Sequence, residues 1–149
     1  MSADPLQQLE DWAAPLLAKL NAAEQRQLAR SIATDLRRSQ AKRIAQQRNP
    51  DGTPYEARKP QRKHRQGQVK AMFDKLRAAR QLRAQATSAA AVIAISGRAA
   101  RIARVHQEGL RDQVEPGGPS VIYPRRELLG ISDEDRDRIR DTLIDYLTE

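Results

Sequence analysis

Apolar positions near the start of the chain recur at helical spacing. Leu6, Leu9, Ala13, Leu16, Leu17 and Leu20 form one stripe. Asp4 is placed to cap this helix, with Pro5 at its first position, where a missing N–H costs nothing. Asn21 followed by Glu24 has the spacing of a capping box and predicts a new helix. That second helix carries Leu28, Ile32 and Leu36 at successive four-residue steps, flanked by Ala29 and Ala33, and is expected to run to about Gln47. A helical hairpin with a very short turn follows from this pattern.

The pattern then stops. Asn49-Pro50-Asp51-Gly52-Thr53-Pro54 cannot continue a helix, and the basic run Arg58 to Arg65 has almost nothing to bury. Residues 49–67 therefore read as a long exposed loop, of a length found mainly in functional or disordered segments. Met72, Phe73 and Leu76 suggest a short helix, or a helical turn leading into a strand. Gln81 to Ser88 and Ala91 to Ser96 read as strands, the second through Val92, Ile93 and Ile95, although the alanine-rich centre leaves a helical reading open. Ala99 to Val105 predicts a short helix ending near Gly109. A turn at Glu115 to Pro119 follows, then an edge strand Val121-Ile122-Tyr123 stopped by Pro124. Ser132 with Asp135 caps a last helix with acids in its first turn and Ile139, Leu143, Ile144 and Leu147 on its apolar face. The expected fold class is α+β: an N-terminal helical hairpin, a small antiparallel sheet with helices packed on it, a C-terminal helix and a long basic loop.

At 149 residues the chain, 1–149, suits one domain. Aromatics make up only 3%, and much of the 39% hydrophobic content is alanine, so the core is expected to be thin and helped by a partner subunit. With no cysteine, disulfides and thiolate metal sites are excluded. No stretch approaches the ~18 apolar residues of a membrane span. The first residues lack the order of a signal peptide, which predicts a protein kept in the cytosol unless carried out.

Net charge is +8, and it is unevenly distributed. From Arg37 to Arg83 fifteen Lys or Arg face three acids, whereas the last helix carries Asp133, Glu134, Asp135, Asp137, Asp141, Asp145 and Glu149. Such polarity suits subunits that dock head to tail, and equally a solvated surface. It also suits phosphate backbones, through counterion release. A DNA-binding accessory protein using the Arg37 to Lys70 zone is thus an alternative reading. Single-strand readout lacks aromatic platforms, since only Tyr55 and Phe73 fall between Arg37 and Arg83 and Phe73 suits the core better. Arg37-Arg38 and Lys42-Arg43 share a helix, but no helix-turn-helix spacing follows.

Catalytic signatures find no support. The chain has no Gly-x-Ser-x-Gly elbow, its Gly117-Gly118 lacks the Lys-Ser/Thr of a phosphate loop, and its two histidines, His64 and His106, are far apart in sequence. His64 reads as a surface residue. His106 reads as a packed or interface histidine bonded to a backbone group, in preference to a catalytic base.

Four stretches carry a resemblance: Leu36-Arg37-Arg38-Ser39-Gln40 with Arg43-Ile44, Gln47 to Glu56 around Asn-Pro-Asp-Gly, Gly97 to Leu110 containing Ile102-Ala103-Arg104-Val105-His106-Gln107, and Tyr123 to Ser132 containing Arg125-Arg126-Glu127-Leu128-Leu129-Gly130-Ile131. Together they resemble the phage virion morphogenesis (tail-completion protein S) family of contractile-tailed phages. Glu108 departs from the aromatic expected between Gln and Gly. The resemblance implies a structural, non-enzymatic virion protein without cofactor. It would complete the tail and join it to the head, as a tail terminator or neck component forming a hexameric ring. Its implied partners are copies of itself, the tail tube, neighbouring neck or head-completion proteins and, non-specifically, phage DNA in the channel, with no membrane. Its implied place is the head–tail junction of the virion, and the host cytoplasm during assembly. An assembly factor absent from the mature virion is a further alternative.

Candidate assembly contacts are Arg37, Arg38, Arg43, Asn49, Asp51, Gly52, Tyr55, Arg58, Lys59, Arg62, Lys63, Arg125 and Arg126. For Arg125-Arg126 a solvated turn is an equal reading. Ile102, Val105, His106, Gln107, Gly109, Leu129 and Ser132 are expected to be structural, with Ile102, Val105 and Leu110 packing the short helix on the sheet. The 49–67 loop is expected to order against a neighbour on assembly.

Overall fold

The computed structural model describes residues 4–58 and 71–148. In chain order the elements are α1 (Pro5–Leu17), α2 (Ala22–Ala45), β1 (Leu82–Ala86), β2 (Ala91–Ile95), α3 (Ala99–Glu108), β3 (Arg111–Gln113), β4 (Ser120–Ile122) and α4 (Asp133–Leu147). The fold is α+β, but its strands form two separate two-stranded sheets, β1–β2 and β3–β4, where one was expected. The chain divides into two compact units. The first comprises Met1–Arg38, Ala84–Ile93 and Ile131–Glu149, the second Ser39–Arg83 and Ala94–Gly130.

The first unit is built on helix-to-helix packing rather than helices on a sheet. Asp4 caps α1 through its carboxylate, which accepts from the Leu6 amide at 3.1 Å. Pro15 lies inside α1 and removes a hydrogen-bond donor, and the helix ends at Leu17, short of Leu20. Asn21 and Glu24 form the expected reciprocal cap, with Asn21 Oδ1 accepting from the Glu24 amide and Glu24 Oε1 from the Asn21 amide. Ala13, Leu28 and Leu143 are buried, with Leu9, Leu17, Leu20, Ile32, Ile139, Tyr146 and Leu147 packed around them. On α4, Tyr146 takes the core place expected of Ile144, which is 40% exposed.

In the second unit, two positive-φ residues follow closely on helix ends. Gln47, at φ +57°, turns the chain just after α2, two residues before the expected Asn49 break. Gly109, at φ +66°, ends α3 in the left-handed conformation that glycine adopts freely. The core gathers Ile44, Tyr55, Met72, Leu76, Ala103 and Leu128, with Phe73, Ile95 and Ala99 against them. Around Met72 to Leu76 the chain makes hydrogen-bonded turns rather than a regular helix, and then enters β1. Strand β3, not anticipated from sequence, pairs antiparallel with β4 in the register Arg111↔Ile122, Asp112↔Val121, Gln113↔Ser120.

Candidate assembly interface

The second unit contains an extended stretch, Arg126 to Gly130, that belongs to no strand. Its backbone polar groups still need partners, and side chains provide them. Arg43 donates from Nη1 to the carbonyls of Arg48 (3.0 Å) and Glu127 (2.9 Å), and from Nη2 to the Leu128 carbonyl (2.8 Å) and Gln40 Oε1 (2.6 Å). Tyr55 donates its hydroxyl to the Glu127 carbonyl at 2.8 Å. Asn49 Oδ1 accepts from the Glu127 amide, Gln40 Oε1 from the Gly130 amide, and Gln107 Oε1 from the amides of Leu128 and Leu129. A Cβ on Gly130 would lie 2.4 Å from Pro50 Cγ, so only glycine passes beneath the proline ring.

His106 lies in this unit between two rings, with centroids 4.7 Å from Phe73 and 4.9 Å from Tyr123. Its Nδ1 is 3.2 Å from Arg126 Nη1. Because a guanidinium only donates, Nδ1 accepts and the imidazole proton sits on Nε2. Burial, with the nearby charges of Arg126 and then Arg58, pushes the His106 pKa down to about 4. Arg126 also donates to the carbonyls of Glu56 and Ala57.

These placements correct the sequence reading in specific ways. Arg43 and Arg126, expected as exposed contacts, are 8% and 4% exposed and brace the fold; Tyr55 is buried in the core. Burial is possible because each finds oxygen acceptors or apolar neighbours inside. The Asn49 to Pro54 segment is a closed turn, with the Asn49 amide bonded to the Thr53 carbonyl and Arg48 bridged to Pro54. Asp51 and Gly52 are at its exposed tip. There Thr53 donates to Asp51 and holds its carboxyl below the usual range. Arg38, Arg58 and Arg125 are exposed and Arg37 half-buried. Lys59, Arg62, Lys63, His64 and the rest of the loop through 67 lie outside the described residues. Val105 is buried as expected, whereas Ile102 is 52% exposed and Leu110 38%.

Sequence reasoning missed the surface that this exposure creates. Ile102, Leu110 and Val114 are exposed on α3 and along one side of the β3–β4 hairpin, and Ile122, at 65%, is exposed on the hairpin's other side. Ile102, Val105, His106, Val114, Pro116 and Tyr123 line a groove there of about 330 Å³, with the Arg101–Asp112 ion pair in its wall. No signal announced it: Leu110 to Val114 reads Leu-Arg-Asp-Gln-Val, without apolar–polar alternation, and three-residue strands are too brief to stand out.

The acidic C-terminal helix is also less acidic than its carboxylate count suggested. Arg136 pairs with Asp133 and Asp137, Arg138 with Asp35 and Asp135, and Arg140 with Asp137 and Asp141. Among the described residues no helix is long and apolar enough to cross a membrane.

No solved structure matches the chain. Over 141 residues, covering 93% of this chain and 94% of the relative, it is 36% identical to Tail completion protein S of Escherichia phage P2. Residues 4–148 match the phage virion morphogenesis family, from the cap of α1 to the last turn of α4. The chain belongs to the phage virion morphogenesis family.

Proposed function

We propose that this protein completes a phage tail and joins it to the head as a structural subunit of a hexameric ring at the head–tail junction. The observation that carries this reading is near-full-length identity of 36% to a protein named for tail completion. A structural rather than enzymatic role is supported by how the polar side chains of the second unit are used. Arg43, Gln40, Asn49, Gln107 and Arg126 spend their hydrogen bonds on the chain's own backbone. The exposed apolar face of α3 and the β3–β4 hairpin supports a role in which neighbouring subunits cover it. Its proposed partners are further copies of the chain, the tail tube and adjoining neck or head-completion proteins, met in the host cytoplasm during assembly.

Electron microscopy of particles assembled without the gene tests the reading. Full heads and separate tails of normal length are expected. Intact infectious particles would refute it, and overlong tails would assign the protein to length termination instead. Light scattering of the purified protein should give the mass of a hexamer, and purified virions should contain it.

A further inference from the structure

We propose that the solvent face of α2 in the first unit, carrying Arg26, Arg30 and Arg38, is a sequence-independent contact for the phosphate backbone of duplex DNA. At 100° per residue these arginines fall in an arc of about 120° along about 18 Å of helix. All three are exposed, and half-buried Arg37 lies in the same arc. Within the arc come Gln27 and Thr34, also exposed, and no acid; Asp35 lies about 60° beyond its edge. The opposite side of the helix carries the buried Leu28 and Leu36 with the half-buried Ile32 between them, so packing fixes which side faces water.

The three cations are unpaired, which sets them apart from most arginines of α3 and α4. Arg101, Arg104, Arg136, Arg138 and Arg140 each sit beside a carboxylate. Among the described residues Arg26, Arg30 and Arg38 have none. The two acids nearest the arc are already engaged: Glu24 caps the helix through the Asn21 amide, and Asp35 takes Arg138 at 3.0 Å. Such a basic strip on a rigid helix attracts anions from outside the subunit.

Chemistry narrows the choice of that anion. The obvious protein donor, α4 of a second copy, has paired Asp133, Asp135, Asp137 and Asp141 with its own arginines, which leaves Glu134 and Asp145, near its two ends, to face a row of three cations. A lipid surface would require large apolar residues beside the basic ones, and the arc has none. Single strands would need aromatic platforms, and α2 contains no aromatic residue. A stiff duplex, with a dense row of phosphates, matches a straight row of arginines. The inference goes beyond the head-joining role and does not depend on it, because it stands on α2 alone.

The test is fluorescence anisotropy of the full chain with a short duplex of mixed sequence, titrated at several salt concentrations. Three phosphate contacts predict a log–log salt slope of about −2.7, a loss of ~40-fold in affinity for a fourfold rise in salt. The triple variant R26Q/R30Q/R38Q should fold normally, weaken binding and flatten the slope by about 2 to 3. A second variant, R98Q/R111Q, removes exposed arginines outside α2 and should bind like the parent protein. Absence of duplex binding at low salt would overturn the proposal. So would a triple variant with unchanged affinity and slope, a preference for single strands, or a triple variant altered in oligomeric state but not in DNA affinity. None of these results bears on whether particles lacking the gene separate into heads and tails, so the two proposals fail independently.

Discussion

Arg43 is positioned by α2 so that one planar fork reaches the carbonyls of Arg48, Glu127 and Leu128 at once. Lysine, a point donor on a flexible stem, cannot span both arms of that fork. Arg43→Lys should therefore leave buried carbonyls unsatisfied and lower stability by about 2 to 4 kcal/mol in chemical denaturation. His106 makes a different prediction, because its pKa is pushed down from 6.5 to about 4 in the folded state. Between those values the unfolded chain binds a proton that the folded chain refuses, so acid favours unfolding. The contribution of His106 is complete above pH 6.5 and is lost as pH falls towards about 4. Its size is on the order of 2 kcal/mol, discounted because the ring is partly exposed. His106→Gln keeps an acceptor for Arg126 but does not titrate, so denaturation midpoints across that window should fall less steeply in the variant than in the parent.

At the scale of elements, the caps show what local sequence can carry. Ser132 accepts from the Asp135 amide at 3.0 Å, and Asp135 accepts from the Ser132 amide at 3.1 Å, closing a capping box at the start of α4. Ser132→Ala should cost about 1 kcal/mol, read from the thermal midpoint, with little change elsewhere. The caps of α1 and α2 and the Gly109 stop were readable in the sequence for the same reason: their hydrogen bonds join residues at most a few positions apart. The Arg126 to Gly130 stretch was not readable. Its partners Gln40, Arg43, Asn49 and Tyr55 come from 72 to 90 positions away, and no local spacing encodes that meeting. An arginine in a basic segment looks like a surface residue until its carbonyl acceptors are seen, which is why Arg43 and Arg126 were misplaced. Several of the motif residues, Arg43, Tyr55, Gln107 and Arg126 among them, shape the subunit from within. The exposed apolar face beyond them depends on two strands too short to announce themselves.

For the whole molecule, the balance between buried and exposed apolar groups decides how it behaves alone. Among the described residues, the two units bury separate clusters centred on Ala13, Leu28 and Leu143 and on Ile44, Tyr55 and Leu128. Among the described residues nine large hydrophobics stay exposed, including Trp12 at 43%, Ile102 at 52% and Ile122 at 65%. Each such side chain is already about half covered, so covering the rest contributes about 1 kcal/mol, and several together are a sizeable part of the 5 to 15 kcal/mol typical of a folded protein. A subunit of this kind gains stability from association, since anything that binds only the folded state pulls the equilibrium towards it. On the proposed ring assembly, the thermal midpoint should therefore rise with protein concentration, in step with the mass seen by light scattering. Ile122→Ser, which removes the most exposed of these groups without touching either core, should leave the midpoint of the dilute subunit within about 1 kcal/mol of the parent while flattening its concentration dependence. A midpoint independent of concentration in the parent protein would mean that the exposed face of α3 and the β3–β4 hairpin is not covered by copies of this chain.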